Sequence, residues 1–332
     1  MATEKELIAG TDDEGRRLDR ILRRAFPGTP LSVIYRLLRK GRVTVNGVPG
    51  EASLRIAAGA RIRVREDAAS PPVRGPVPPQ AEGTPPGLCI LREGDGLLLV
   101  NKPAGLAVHR PDRRQGKAPS PCLDGLVRAY LRDKLPPSLS FRPGPLHRLD
   151  QVSSGIIAFS ASLAGARLFS ALMRERRLRK TYLALADGRI ETAECWEDAL
   201  FRDRERRKTA AALGGPDERH ARPARTRVFP LAVHPPYSLI ALEIETGRTH
   251  QIRSQAGFHG HPLSGDRKYG GSFQPGGLLL HAFSLSFPPD VPLLGSLRGE
   301  TVSAPLPKPF LRRIREIFGT GLGIGGALPL NG

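Results

Sequence analysis

Asp150 lies in the stretch HRLDQVSSG, residues 147–155, with Arg148 two positions before it and two serines and a glycine shortly after. An aspartate beside an arginine is ordinarily half of a surface ion pair of little energetic weight. Two features point to chemistry instead. The small residues would let a ligand approach closely, and the apolar run that follows, Gly155–Phe159, should be a strand with Asp150 at its mouth. A second charged stretch, ETGRTHQIRSQAGFHGHPLSGDRKYGG at 245–271, supplies a partner. Arg253, on a short helix expected to begin near Gln251, could grip a carboxylate with a bidentate fork. It would keep that carboxylate ionised despite burial, which otherwise raises a carboxyl pKa. Tyr182, in the strand-like RKTYLALADG, could stack a flat ring on a base and move a proton through its phenol, although an aromatic on a strand is more often core.

The histidines of the same stretch, His250, His259 and His261, suggest a metal-dependent nuclease as one reading. Their spacing fits no ligand pattern, no H-E-x-x-H occurs, and the nearest acid, Asp266, falls in a turn, so no metal is expected. The three cysteines, Cys89, Cys122 and Cys195, form no C-x-x-C pair, and free, buried thiols in a reducing cytoplasm are expected.

These side chains belong to a strongly basic chain of 332 residues, with 51 Lys and Arg against 32 Asp and Glu, a net charge of +19. Such an excess favours a polyanionic partner, nucleic acid or an anionic membrane surface. No apolar run is long enough to span a bilayer, and the first residues, MATEKELIAG, have no signal-peptide core. A cytoplasmic, monomeric protein without membrane contact is expected.

A proline- and glycine-rich stretch over 67–87 should be a linker, because proline lacks a backbone donor and fixes φ. It separates a unit at 1–66 from a body at 88–318, with a flexible tail at 319–332. The first unit reads helix, helix, strand, strand. Leu18, Ile21, Leu22 and Ala25 share one helical face, and Val33, Ile34, Leu37 and Leu38 another, the second helix beginning at Ser32 as N-cap and stopping at Gly41. RVTVNG turns at Asn46-Gly47, a hairpin dipeptide. Arg36, Arg39, Lys40 and Arg42 fall where they could displace counterions from a nucleic-acid backbone. In the body, strands outnumber helices and few β-helix-β units are visible. The fold class expected is therefore α+β, a mainly antiparallel mixed sheet, with a small N-terminal α/β RNA-binding domain.

Two resemblances sharpen this. RLLRKGRVTVNG, within residues 15–66, resembles the small RNA-binding domain first known from ribosomal protein S-four. HRLDQVSSG, KTYLALADG and GRTHQIRSQAGFHGHPLSGDRKYG, in that order and with LLVNKPAGLAVH before them, resemble the RluA-type RNA pseudouridine synthases over 88–318. The resemblance implies that Asp150 is the essential aspartate, Tyr182 the active-site tyrosine, Arg253 the arginine that pairs with Asp150, and Arg148 an arginine that helps take the place of the flipped uridine. His147, Arg248 and His250 are expected to meet RNA beside it. The implied reaction isomerises specific uridines in RNA, with large-subunit ribosomal RNA expected first and transfer RNA second. Nothing is oxidised and no leaving group is lost, so no cofactor is expected. A carboxylate meeting an oxocarbenium-like sugar suits this chemistry, as in retaining glycosidases, and the base must first leave its stack. Asp150 could act on the sugar as nucleophile or as base. The competing reading is an RNA-docking protein with a catalytically inactive body.

Overall fold

The computed structural model describes residues 4–65, 88–109, 121–203, 205, 208–212 and 219–320. The expected linker over 67–87 and the tail beyond 320 lie outside these residues. The chain forms two compact units. The first contains the described residues up to 65 together with Leu126–Gly144 and Ser160–Arg167, and the second contains the rest.

In the first unit, β1 (Glu4–Ile8), β2 (Val43–Val45), β3 (Val48–Pro49) and β4 (Arg61–Arg65) form an antiparallel sheet in the order β1-β4-β2-β3. The expectation of two strands missed β1, an edge strand whose sequence, EKELI, opens with three charged residues and has no period-two apolar pattern. Helices α1 (Leu18–Ala25) and α2 (Leu31–Arg39) bury the two predicted stripes against Val43, Ile62 and Val64. Pro30, not Ser32, precedes the second helix as N-cap, and Ser32 sits exposed in its first turn. Gly41 (φ +61°) ends it, and Asn46 (φ +51°) with Gly47 (φ +87°) makes the hairpin turn. Asp13, fully buried, accepts hydrogen bonds from the backbone of Gly10, Leu139 and Ser140 and from the hydroxyl of Ser138. A carboxylate so satisfied can be buried without stranding its charge.

The second unit is built on a long mixed sheet. Its strands are β5 (Cys89–Gly94), β6 (Leu97–Lys102), β7 (Gly144–Pro145), β8 (Ser154–Ser160), β9 (Arg179–Asp187), β10 (Glu194–Asp203), β11 (Lys208–Ala211), β12 (Arg222–His234), β13 (Tyr237–Ile244), β14 (Leu280–Ser286) and β15 (Thr301–Ser303). The main path runs β11-β10-β12-β13-β9-β14-β8-β6-β5, antiparallel from β11 to β14, with β8 parallel to β14. The α+β class is as expected. Helices α3 (Leu123–Leu131) and α4 (Leu163–Arg174) precede β7 and β9. Helix α5 (Gln251–Phe258) packs on β10 and β11, and α6 (Lys308–Phe318) buries Phe310 and Ile314 against Leu185, Leu239 and Leu279. Of the cysteines only Cys122 is buried. Cys89 and Cys195 are exposed on strand positions that face outward.

The small residues after Asp150 serve the sheet more than a ligand. Gly155 (φ +114°) brings β8 so close to β14 that an added Cβ would stand 2.2 Å from the Ala282 carbonyl oxygen. Ser154 is buried against His281, its Oγ 2.9 Å from Nδ1, while the other ring nitrogen lies 3.1 Å from the Ala304 carbonyl. His147 is also structural. Its ring stacks on Phe169 at 5.8 Å and its Nε2 accepts the Ala158 N–H, so it is turned away from the RNA contact expected of it.

Burial, helped in one case by the nearby Lys180, pushes His147 down to about 4, and burial pushes His281 down to about 4 as well. An unfolded chain holds such groups near 6.5. As pH falls from about 6.5 toward 4, the unfolded chain takes up protons that these two folded imidazoles refuse. Stability is therefore full above about pH 6.5 and is lost through that window, with a slope approaching about 2–3 kcal/mol per pH unit. Urea midpoints measured between about pH 7.5 and pH 5 should fall on acidification. A midpoint constant over that range contradicts the burial of neutral imidazoles.

Candidate active site

The end of β8, the middle of β9 and the start of α5 converge on one cleft. It is lined by Arg148, Asp150, Ser153, Tyr182, Arg248 and Arg253, among others, and holds about 70 Å³. Asp150 is set at the mouth of β8, as the strand pattern predicted. Its N-terminal neighbour Leu149 is buried, and its own carbonyl closes a turn with the Ser153 N–H at 3.1 Å.

Arg253 reaches Asp150 across 103 positions of sequence, its Nη1 donating to Oδ2 at 2.8 Å. The bidentate fork expected at Arg253 is present but faces another carboxylate. Nε and Nη2 donate to the two oxygens of Asp266 at 2.7 and 2.9 Å. Asp266 is 1% exposed and Arg253 6%, so the fork is locked in a dry setting and its remaining nitrogen is aimed at Asp150. Burial works against the Arg253 charge, but the hydrogen bonds and charges of Asp266 and Asp150 outweigh it and hold its pKa above the ordinary guanidinium range.

His250 adds a neutral donor. It occupies a left-handed conformation (φ +55°) immediately before α5. Its Nδ1 lies 2.8 Å from the Tyr269 hydroxyl, whose oxygen accepts the Thr209 N–H at 3.0 Å. The Asp150 carboxylate beside Nε2 favours a proton there, which leaves Nδ1 to accept from the phenol. That Nε2 stands 3.6 Å from Asp150 Oδ2. Burial lowers the His250 pKa to about 4, opposed by Asp150 and reinforced by Arg253 and Lys268, so the ring is neutral at ordinary pH. Arg253 and His250 thus both face Oδ2 of Asp150.

Tyr182 is 8% exposed and lines the same cleft. Burial and the Asp150 charge raise its phenol pKa well above normal, so it rests protonated. Lys102, fully buried at the end of β6, donates to the carbonyls of Pro103, Leu106 and Gln151 at 2.8, 2.9 and 3.1 Å. Burial lowers its pKa to about 8 against the attraction of Asp150.

Of the other residues singled out in the sequence, Arg148 and Arg248 are exposed at the cleft, and Arg248 Nε is anchored on the Pro223 carbonyl at 3.1 Å. Arg39, Lys40 and Arg42 are exposed in the first unit, with Arg36 half-buried. The three histidines do not converge. His259 stacks on Trp196 and meets Asp198, while His261 packs at Gly188. Among the described residues no group of three or more His, Cys, Asp or Glu is placed to hold a metal. Sequence reasoning passed over Asp266, Tyr269 and Lys102. The signal for the first two was their shared place in a glycine-rich loop three residues apart. For Lys102 it was a lysine closing an otherwise apolar strand.

Residues 96–257 match the family described as RNA pseudouridylate synthase, and residues 16–62 match the S4 domain. The chain is 32% identical over 318 residues to a protein of Neisseria meningitidis named ribosomal large subunit pseudouridine synthase D, covering 88% of this chain and 76% of that one. It is 32% identical over 279 residues to ribosomal large subunit pseudouridine synthase C of Escherichia coli, covering 80% of each. Among solved structures, human RNA Pseudouridylate Synthase Domain Containing 1 aligns with a TM-score of 0.53 at 26% identity, over 69% of this chain and 86% of that one.

The Asp150–Arg253–Asp266 arrangement makes a prediction that is independent of turnover. Arg253→Met leaves two carboxylates facing each other without a counter-charge. The expected cost is about 3–5 kcal/mol at neutral pH. Urea denaturation of both proteins at neutral pH reads this out. A variant as stable as the parent at neutral pH would show that the arginine is not needed to hold the pair.

Proposed function

The chain belongs to the RNA pseudouridine synthase family, and we propose that it isomerises uridine in large-subunit ribosomal RNA, with Asp150 as the reacting carboxylate. The observation that carries the site assignment is the single hydrogen bond from Arg253 to Asp150 Oδ2 in the cleft that Tyr182 lines. The names of the ribosomal relatives support the substrate. They also support a cytoplasmic site of action, where a single copy of the chain meets its RNA.

The reaction breaks the bond from C1′ to N1, turns the base, joins C5 to C1′ and releases the C5 proton to solvent while N1 gains one. Atoms and charge balance without a redox partner. Asp150 Oδ1, the oxygen that neither Arg253 nor His250 faces, meets the sugar as nucleophile or base. Arg253 holds the carboxylate in one orientation, and Asp266 holds Arg253, so little reorganisation is left for the moment of reaction. Tyr182 covers the base with its ring. Because its phenol rests protonated, it can take the C5 proton only by passing its own onward, and Asp150, whose charge it feels, is the acceptor at hand. Arg148 enters the space that the flipped uridine leaves. The basic end of α2, with Arg36, Arg39, Lys40 and Arg42, docks a separate stretch of RNA backbone through the first unit.

Mapping pseudouridines in ribosomal and transfer RNA from cells with and without the protein tests the substrate. A site that disappears from transfer RNA alone overturns the ribosomal assignment. Asp150→Asn is expected to lower turnover by at least about 10³-fold while RNA affinity changes only a few-fold. Product at the parent rate would refute the assigned carboxylate. Tyr182→Phe keeps the ring but removes the relay, and should slow C5 proton release by about 10²–10⁴-fold. Release of tritium from C5-labelled RNA at the parent rate would leave stacking as the tyrosine's whole role.

A further inference from the structure

A second cavity, about 340 Å³, opens beside the cleft and takes no part in the chemistry above. It lies where the chain leaving α4 turns into β9, against the paired ends of β12 and β13. Ile244 lines both cavities. Side chains alternate along a strand, so Lys180 shares a face of β9 with Tyr182. Tyr182 points into the cleft and Lys180 into the second cavity.

The charges around this cavity are unbalanced. Glu243, its buried acid, is already paired with Arg227 at 2.6 Å. Glu245 is 3.6 Å from Arg225, and Arg177 is held by Asp290. Arg179 is engaged elsewhere, which leaves Lys180 and Arg176. Among the described residues neither has an ion-pair or hydrogen-bond partner through its side chain. Burial lowers the Lys180 pKa, and the neighbouring Arg176 lowers it further, the signature of a half-buried cation with no counter-ion. Arg176 also holds a left-handed backbone (φ +56°) after α4, a position that favours glycine. Desolvating a cation beside another cation is unfavourable unless an anion completes the site. Met173 and Ile244 supply apolar lining beside these charges. The size falls within the range of small-molecule sites.

We infer that this cavity is a second nucleotide subsite, in which Lys180 and Arg176 bind a phosphodiester next to the flipped uridine while the adjoining base rests on Met173 and Ile244. The inference rests on the RNA substrate proposed above and extends it. It assigns to this groove the backbone contact that pulls the strand taut while the uridine is out of its stack. Ile244 lines both cavities, which suits adjoining nucleotides.

The test uses the full chain and an RNA fragment in which the parent enzyme forms pseudouridine. Arg176→Asn tolerates the left-handed backbone and is exposed, so it should fold, and Lys180→Met is the companion. Each is expected to raise Kd about 5–10-fold and to lower the slope of log Kd against log salt by about one, with the saturating single-turnover rate far less affected. A neutral methylphosphonate at one phosphate flanking the target should weaken the parent enzyme and abolish most of the difference between it and Arg176→Asn. The same substitution at distant phosphates should leave that difference intact. Parent turnover reads the substrate assignment separately. A parent that converts uridine while Arg176→Asn binds with the parent Kd and salt slope overturns the second subsite and leaves the function standing. An Arg176→Asn defect of equal size on every methylphosphonate RNA also overturns it.

Discussion

One guanidinium holds the catalytic half of this protein to its task. Arg253 has five N–H donors in a rigid plane, and the structure commits two of its nitrogens to Asp266 and the third to Asp150. The bidentate grip fixes the plane, and the fixed plane aims the remaining nitrogen. A lysine in its place would offer a charge without a direction. The Asp150 carboxylate thus has its orientation set by a partner that is itself oriented by a second carboxylate, buried at 1% exposure.

Such an arrangement requires the loop that carries Asp266 to stay still, and much of the local sequence serves that end. Asp187, at the end of β9, accepts hydrogen bonds from the Ser264 hydroxyl and from both the backbone and hydroxyl of Ser272, clipping the loop at its two ends. Gly271 passes so close that an added Cβ would stand 1.9 Å from the Leu263 carbonyl oxygen, and Gly265 would meet Gly277 at 2.0 Å. Tyr269, inside the loop, faces the Arg253 guanidinium at 5.2 Å and pairs through its hydroxyl with His250 Nδ1. Glycines that read as turn formers in the sequence are here contact points, where backbone lies on backbone.

Local sequence carried the first coordination of the site but not its depth. Asp150 at a strand mouth, Arg253 on a short helix and Tyr182 on a strand were legible because each depends on hydrophobic periodicity within about ten residues. The resemblance to a known family then joined the three. Asp266 was not legible, because a carboxylate in a glycine-rich turn looks solvated until tertiary structure covers it. Lys102 was missed because a lysine closing an apolar strand reads as one that reaches water, whereas here it caps three carbonyls. His147 failed in the opposite direction. Its place beside Arg148 suggested a ligand contact, yet the irregular segment between β7 and β8 leaves Arg148 exposed and stacks His147 on Phe169. In the first unit both helical stripes were legible, while β1 was not, since an edge strand that opens with three charged residues resembles an exposed tail.

The charge count in the interior explains how a carboxylate can work on a polyanion. Asp150 and Asp266 are offset by Arg253 and by the Lys102 ammonium held behind the Gln151 carbonyl. His250 adds none, because burial keeps it neutral. Two negative and two positive groups therefore share the buried set, and the approaching RNA meets no net repulsion from it. The outer ring is different in kind: Arg148 and Arg248 at the cleft, and Lys268 within the fields of Arg202, Lys208 and Arg253. Like charges crowded in this way disfavour one another, and an arriving phosphate offsets them. The basic excess of the chain is thus sorted by depth. Opposite charges offset one another inside, and the positive charge outside is left to attract RNA.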